Sequence, residues 1–153
     1  MNTTSLKRLL DACFVAKHVV ETLPELPKGM KPRHIHVLDA VDEIQRQQGY
    51  CRVSDVSTRL NITMPSITKL IQELEKRELL SKQMAKEDKR VMLLNLTEEG
   101  RECVRLHVLE FHSAWTEQLG DISDEEVMEA IGIIRRLHDT MPGREGGKHS
   151  DGK

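Results

Sequence analysis

The chain has 153 residues, 38% hydrophobic and 31% charged, with a net charge of −2, the balance of one water-soluble globular domain rather than a disordered or fibrous chain. No apolar run approaches the roughly 20 residues that cross a bilayer, and Asp11 and Lys17 interrupt LLDACFVAKHVV, which therefore is no secretory signal. Three cysteines, Cys13, Cys51 and Cys103, are odd in number with no C-x-x-C pair, which argues against a disulfide framework and for reduced thiols in a cytoplasm.

In chain order, Leu6, Leu9, Leu10, Cys13, Phe14 and Val20 give an apolar stripe to a first helix of about residues 4–22. Prolines 24, 27 and 32 in LPELPKGMKP enforce a connection. A second helix starts at about Pro32, carries Ile35, Val37, Leu38, Val41 and Ile44, and stops near Gly49. Tyr50 to Val53 reads as a short strand. Val53 to Leu60 is a short helix, Asn61-Ile62-Thr63 a break, and Met64 to Glu78 another helix. Then LSKQMA, KEDKR and VMLLNL read as strand, turn and strand of a hairpin. Thr97 is a plausible N-cap for a long helix with Val104, Val108, Phe111, Trp115 and Leu119 on one stripe, ended by Gly120. Ser123-Asp124-Glu125-Glu126 is a capping box that opens a last helix bearing Val127, Ile131, Ile134, Leu137 and Met141. Residues 142–153 are glycine-rich and polar, the composition of a disordered tail.

Helix, tight turn, helix and basic-tipped hairpin is the order of a winged helix-turn-helix, here over about residues 32–96. The fold class is therefore mainly α with a small β-hairpin, one domain over residues 1–141 with helices at about 4–22 and 97–141 on either side of the winged unit.

The helix from Met64 shows two faces. At about 100° per residue, Leu70, Ile71 and Leu74 fall within about 60° of Ile67 and make a buried stripe with it. Pro65, Lys69, Gln72 and Lys76 point the other way, with Ser66 and Thr68 on the flanks. Lys69 and Gln72 have the reach and donor chemistry for base edges, and Ser66 and Thr68 suit bases or phosphates near the helix N-terminus. An ordinary solvated face would use the same residue types.

The hairpin tip, Lys86-Glu87-Asp88-Lys89-Arg90, is basic at three of five positions. An arginine there fits a minor groove, where negative potential is enhanced, and Asp88 stands two residues before Arg90 to hold its guanidinium. The plain alternative is a solubilising turn. Charge is divided in the same sense: residues 61–90 carry seven Lys or Arg against five Asp or Glu, whereas residues 95–139 carry four against eleven. A near-neutral chain can so present a basic face with the acidic remainder turned from phosphate. Only four aromatic residues, Phe14, Tyr50, Phe111 and Trp115, argue against single-strand binding by base stacking.

From Thr68-Lys69-Leu70-Ile71-Gln72-Glu73-Leu74-Glu75-Lys76 through Leu79-Leu80 and Asp88-Lys89-Arg90 to Leu96-Thr97-Glu98-Glu99-Gly100, the chain resembles the multiple antibiotic resistance regulators, the MarR family. Its length and order of elements agree. Where the family usually closes this helix with a glycine in a left-handed turn, the chain has Glu78, so a looser or differently shaped lead-in to the wing is expected. The resemblance implies a cytoplasmic, sequence-specific regulator of double-stranded DNA. In such proteins the terminal helices form a homodimer whose recognition helices meet a pseudo-palindrome about one turn apart. It also implies repression released by an unidentified small molecule held between the dimer helices and the winged unit. The expected DNA contacts are Ser66, Thr68, Lys69 and Gln72 in the major groove, Arg90 in the minor groove with Asp88 orienting it, and Lys76, Lys86 and Lys89 on phosphates.

Three alternatives stand beside that reading. Zinc-responsive relatives take ligands from histidines at positions resembling His36 and His107, and Cys103, His107 and Glu110 have spacings that share one helical face; a metal set of His36, Cys103 and His107 is the weaker option, and no cofactor is otherwise expected. Peroxide-sensing relatives use a first-helix cysteine, but Cys13 lies on an apolar stripe with no tyrosine in the first two helices, so a core role is preferred. A winged helix can also serve protein contacts alone, though such a unit needs neither polar outward residues nor a basic tip. For an enzyme the chain offers no phosphate-cradling glycine loop, G-x-S-x-G or H-E-x-x-H.

Overall fold

The computed structural model describes residues 1–23 and 25–142. Its elements are α1 (Thr3–Glu21), α2 (Pro32–Gln48), α3 (Val53–Leu60), α4 (Met64–Lys76), β1 (Leu80–Met84), β2 (Met92–Leu96), α5 (Glu98–Val104), α6 (Phe111–Gln118) and α7 (Asp124–Asp139), with a π-helical stretch, Arg105–Glu110, joining α5 to α6. Internal contacts group the chain into two units, Met1–Ser113 and Ala114–Lys153. All but the first residue of the expected tail lies outside the described residues.

Local chemistry sets the boundaries in the first unit. Pro32 opens α2, where its missing N–H costs nothing, and Gly49 closes it with φ +84 while donating to the Gln45 carbonyl at 2.8 Å. Asp55 folds back to accept the Arg52 N–H at 2.9 Å and starts α3. Asn61, one of the few residue types at ease in the left-handed region, ends α3 at φ +52. Ser57 then donates to the Ile62 carbonyl at 2.6 Å and takes the Ile62 N–H on its own carbonyl, which fixes the turn into α4.

The core is one cluster. Ile35, Val37, Leu38, Val41 and Ile44 from α2 meet Val56, the α4 stripe Ile67, Leu70, Ile71 and Leu74, and Leu80, Leu94, Leu96, Cys103, Val104 and Val108. β1 and β2 pair antiparallel from Leu80↔Leu96 to Met84↔Met92. The expected strand over residues 50–53 reduces to a bridge between Arg52 and Leu93, with the Leu94 N–H on the Cys51 carbonyl at 2.8 Å. It stops there because Val53 already begins α3.

Two expectations need correction. The helix from Met64 ends at Lys76, not Glu78: Arg77 is its cap and Glu78 turns left-handed at φ +59. The long helix after Thr97 is not uniformly α, because residues 105–110 take the wider π geometry before α6 resumes and ends at Gln118. Cys103, His107 and Glu110 thereby fall in three environments: Cys103 is in the core, His107 is half-buried, and Glu110 pairs with Arg105 at the surface.

In the second unit, the Ser123 Oγ accepts from the Glu126 N–H at 3.2 Å while Glu126 accepts from the Ser123 N–H at 2.9 Å, the reciprocal box read from the sequence. Neither α1 nor α7 buries a residue. Phe14, Val15 and Val20 on α1 are exposed, as are Met128, Ile134 and Met141 on or just after α7. Cys13, expected in the core, is half-buried. No helix among the described residues is long and apolar enough to cross a membrane.

Candidate nucleic-acid interface

The side of α4 away from the core carries Ser66, Thr68, Lys69, Gln72 and Lys76, all exposed. The buried stripe makes this inevitable, since residues at 3.6 per turn cannot both face the core and flank those that do. Pro65 in the first turn and Thr63 at the N-cap start the helix, and Thr63 donates to the Ser66 hydroxyl at 3.0 Å. Thr68 donates to the Met64 carbonyl at 2.8 Å, so its hydroxyl is oriented while its oxygen keeps a lone pair for an incoming donor. Lys69, Gln72 and Lys76 offer amine and amide donors from successive turns, a spacing suited to base edges along a major groove.

At the wing tip the expected pair is formed. Arg90 donates from Nε to Asp88 Oδ1 and from Nη2 to Oδ2, each at 3.1 Å, and its backbone N–H meets Oδ1 at 3.0 Å. The side-chain hydrogen bonds from the guanidinium, followed by the backbone one, hold the Asp88 carboxyl below the usual carboxylate range. The Arg90 side chain is nonetheless 91% exposed. An arginine held in one plane with its outer edge free loses less side-chain freedom on meeting a phosphate or base edge. Lys86 and Lys89 flank it, also exposed. The tip is anchored by the Val91 N–H on the Asp88 carbonyl at 3.0 Å and the Ala85 N–H on the Val91 carbonyl at 2.9 Å.

The wing root is fixed by the residues of the L-T-x-x-G stretch. Thr97 donates from Oγ1 to the Glu78 carbonyl at 2.7 Å, accepts the Gly100 N–H at 3.0 Å, and gives its own N–H to the Leu79 carbonyl at 3.2 Å. The Glu78–Leu79 turn lies directly against the start of α5, and Glu78 takes the left-handed conformation itself without a glycine. Gln45 of α2 ties the other side, donating to the Leu94 carbonyl and to Asn95 Oδ1, both at 3.0 Å.

Sequence reasoning noted His34 only as a histidine near the start of the second helix and missed its contact with Glu73. His34 is the one buried polar residue among those described, and its Nε2 lies 2.6 Å from Glu73 Oε2 on α4. Its place in the first turn of α2, amid apolar neighbours at helical spacing, was the available signal.

A cleft of about 240 Å³ is lined by Leu23, Glu25, Leu26, Leu106, His107 and Phe111. His36 turns elsewhere, with Nε2 on the Val20 carbonyl. The metal set of His36, Cys103 and His107 is not assembled, and no three His, Cys, Asp or Glu side chains among the described residues are grouped to hold an ion. Burial pushes the Cys103 thiol up, and burial followed by Asp55 pushes the Cys51 thiol up to about 12, so neither is a ready thiolate.

Comparison with known proteins agrees with the winged helix-turn-helix fold. Residues 28–91 match the family model described as the MarR family. A relative in Bacillus subtilis (strain 168), the uncharacterised HTH-type transcriptional regulator YdgJ, is 28% identical over 88 residues, which are 58% of this chain and 54% of YdgJ. The chain thus spans about half the length of that relative. The HTH-type transcriptional repressor MdtR of the same organism is 25% identical over 118 residues, 76% of this chain and 74% of MdtR. Among solved structures, Streptococcus pneumoniae FabT in complex with DNA superposes with a TM-score of 0.64 at 25% identity, covering 90% of this chain and 96% of FabT.

Proposed function

We propose that this chain, a MarR-family transcriptional regulator through residues 28–91, acts as a homodimeric repressor on a pseudo-palindromic operator and leaves the DNA when a small molecule binds. The observation that carries the reading is the pairing of an exposed polar face on α4 with an exposed, aspartate-braced Arg90 on the wing. Ser66, Thr68, Lys69 and Gln72 read the major groove. Arg90 enters the minor groove with Asp88 orienting it. Lys76, Lys86 and Lys89 neutralise phosphates. The reading needs no catalytic group and puts the protein in the cytoplasm, with the DNA.

A dimer is supported by exposed apolar side chains on α1 and on α7, each more than a lone surface residue requires. The about 240 Å³ cleft, smaller than the roughly 300 to 1,000 Å³ of drug-sized sites, suits a compact ligand with one apolar body and a polar end, the latter for Glu25 or His107.

The test is selection of bound duplexes from a random DNA library by protein stripped of small molecules, at about physiological salt, where non-specific attraction is weakened. An inverted repeat with half-sites about 34 Å apart is expected. Enrichment of no sequence would sink the reading and favour a protein-contact role for the winged unit.

A further inference from the structure

The connection between α1 and α2 is tied to the recognition helix at two points. Arg77, which caps α4, donates from Nη2 to the Lys28 carbonyl at 2.9 Å. The guanidinium lies so close over Gly29 that a Cβ there would stand 2.4 Å from Nη2. Gly29 also has φ +81, a conformation strained for any residue with a side chain. The second tie is His34. Its Nδ1 accepts the Lys31 N–H at 2.9 Å, which leaves Nε2 as the protonated nitrogen that donates to Glu73 at 2.6 Å. One imidazole therefore joins the end of the connection to the flank of α4.

The same connection supplies Leu23, Glu25 and Leu26 to the cleft that Leu106, His107 and Phe111 complete. A single residue, Pro27, separates Leu26 from Lys28. The cleft wall is thus two residues from a carbonyl that the cap of α4 holds. The π stretch on the far wall, which contributes Leu106 and His107, departs from regular α-helix where the cleft forms.

We propose that His34 and Arg77, through Glu73 and Lys28, are positioning residues that set the pose of the recognition helix, and that a movement of the 22–31 connection moves that helix with it. This rests on the DNA-binding reading above. Neither residue reads a base. Their effect falls on operator recognition, which needs α4 in one pose, and not on phosphate attraction, which tolerates many.

His34→Ala and Gly29→Ala loosen the ties without changing any residue of α4, and Leu106→Trp crowds the cleft. For each, dissociation constants are measured for the selected operator and for a random duplex, together with the thermal midpoint and amide exchange over residues 64–77. His34→Ala and Gly29→Ala are expected to weaken operator binding about tenfold and random-duplex binding less than twofold, with faster exchange in α4. His34→Gln, whose amide can still donate to Glu73, should bind like the parent. Leu106→Trp should weaken operator binding in the parent and add nothing once both ties are cut. Unchanged exchange in α4 overturns the proposal whether or not DNA is bound. Equal losses on operator and random duplex that track the thermal midpoint also overturn it, since the residues would then only hold the fold. A parent that selects no duplex while exchange responds refutes the DNA-binding reading, and the positioning role for operator recognition falls with it.

Discussion

The carbonyl oxygen of Leu79 stands 2.0 Å from where a side-chain carbon on Gly100 would be. Glycine at residue 100 therefore lets the turn leaving the recognition helix rest on the first turn of α5, where Thr97 hydrogen-bonds both Glu78 and Gly100. Gly100→Ala must push this backbone apart. It should cost about 1 to 3 kcal/mol, the range of overpacking at a well-packed site, read as a lower urea midpoint. Operator affinity should fall with it, because the wing loses its fixed root. A variant as stable as the parent would mean that the turn shifts freely.

The neighbouring turn makes the opposite prediction. Glu78 sits at φ +59, where a residue with a Cβ is held at a cost of about 1 to 2 kcal/mol, offset in part by the extra unfolded freedom that glycine brings. Glu78→Gly should accordingly stabilise the protein by about 0.5 to 1 kcal/mol, raising the urea midpoint with no change in slope. Loss of stability would show that the Glu78 side chain contributes something its geometry does not reveal.

Much of this arrangement was legible in the sequence because it is written in short-range rules. The α4 stripe, the Asp88–Arg90 spacing, the Thr97 and Ser123 caps and the Gly49 stop each depend on neighbours spaced no more than four positions apart. The departures lie where distant groups decide. Glu78 is pulled into a left-handed turn by the Thr97 and Leu79 bonds, which ends α4 two residues early. The π stretch after Val104 has no local breaker to announce it. His34 reads as one more polar residue until Glu73, 39 positions away, is seen beside it.

Arg90 supplies the sharpest test of the wing. Arg90→Ala should lose about 1 to 3 kcal/mol of operator binding and relax sequence choice near the half-site edge. Arg90→Lys should not restore it, since an ammonium cannot make the paired bonds that Asp88 now receives at 3.1 Å. Lys86→Ala and Lys89→Ala should instead weaken all duplexes alike and flatten the salt dependence by about one unit each. Filter binding of the operator and a scrambled duplex across salt separates the two behaviours.

Glu73 gives a pH dependence of definite sign. The hydrogen bond from His34 holds its carboxyl below the usual carboxylate range. A group with a lowered folded pKa adds stability that is fully present above its unfolded value, about 4.3, and is lost as pH falls through the folded value. The stability gap between the parent and Glu73→Gln should close as pH falls below about 5, measured by urea midpoints across the acid range. A gap that stays open through the lowest pH would contradict the hydrogen-bond geometry.

Phe14 offers the test of the proposed dimer. It is 74% exposed on α1, beside Val15 at 65% and near Val20 at 54%, more aromatic and β-branched surface than a solitary helix face leaves in water. If a second copy covers this face, Phe14→Asp places a carboxylate in an apolar interface and should convert the dimer to a monomer by light scattering at micromolar concentration. Operator binding should fall steeply with it, because one recognition helix reads only one half-site. The thermal midpoint at low concentration should barely change, since Phe14 is largely exposed and not among the buried core residues. A parent that is monomeric, or a Phe14→Asp variant that still binds the inverted repeat as tightly, would remove α1 from the interface and leave the exposed side chains of α7 as the surface to mutate next.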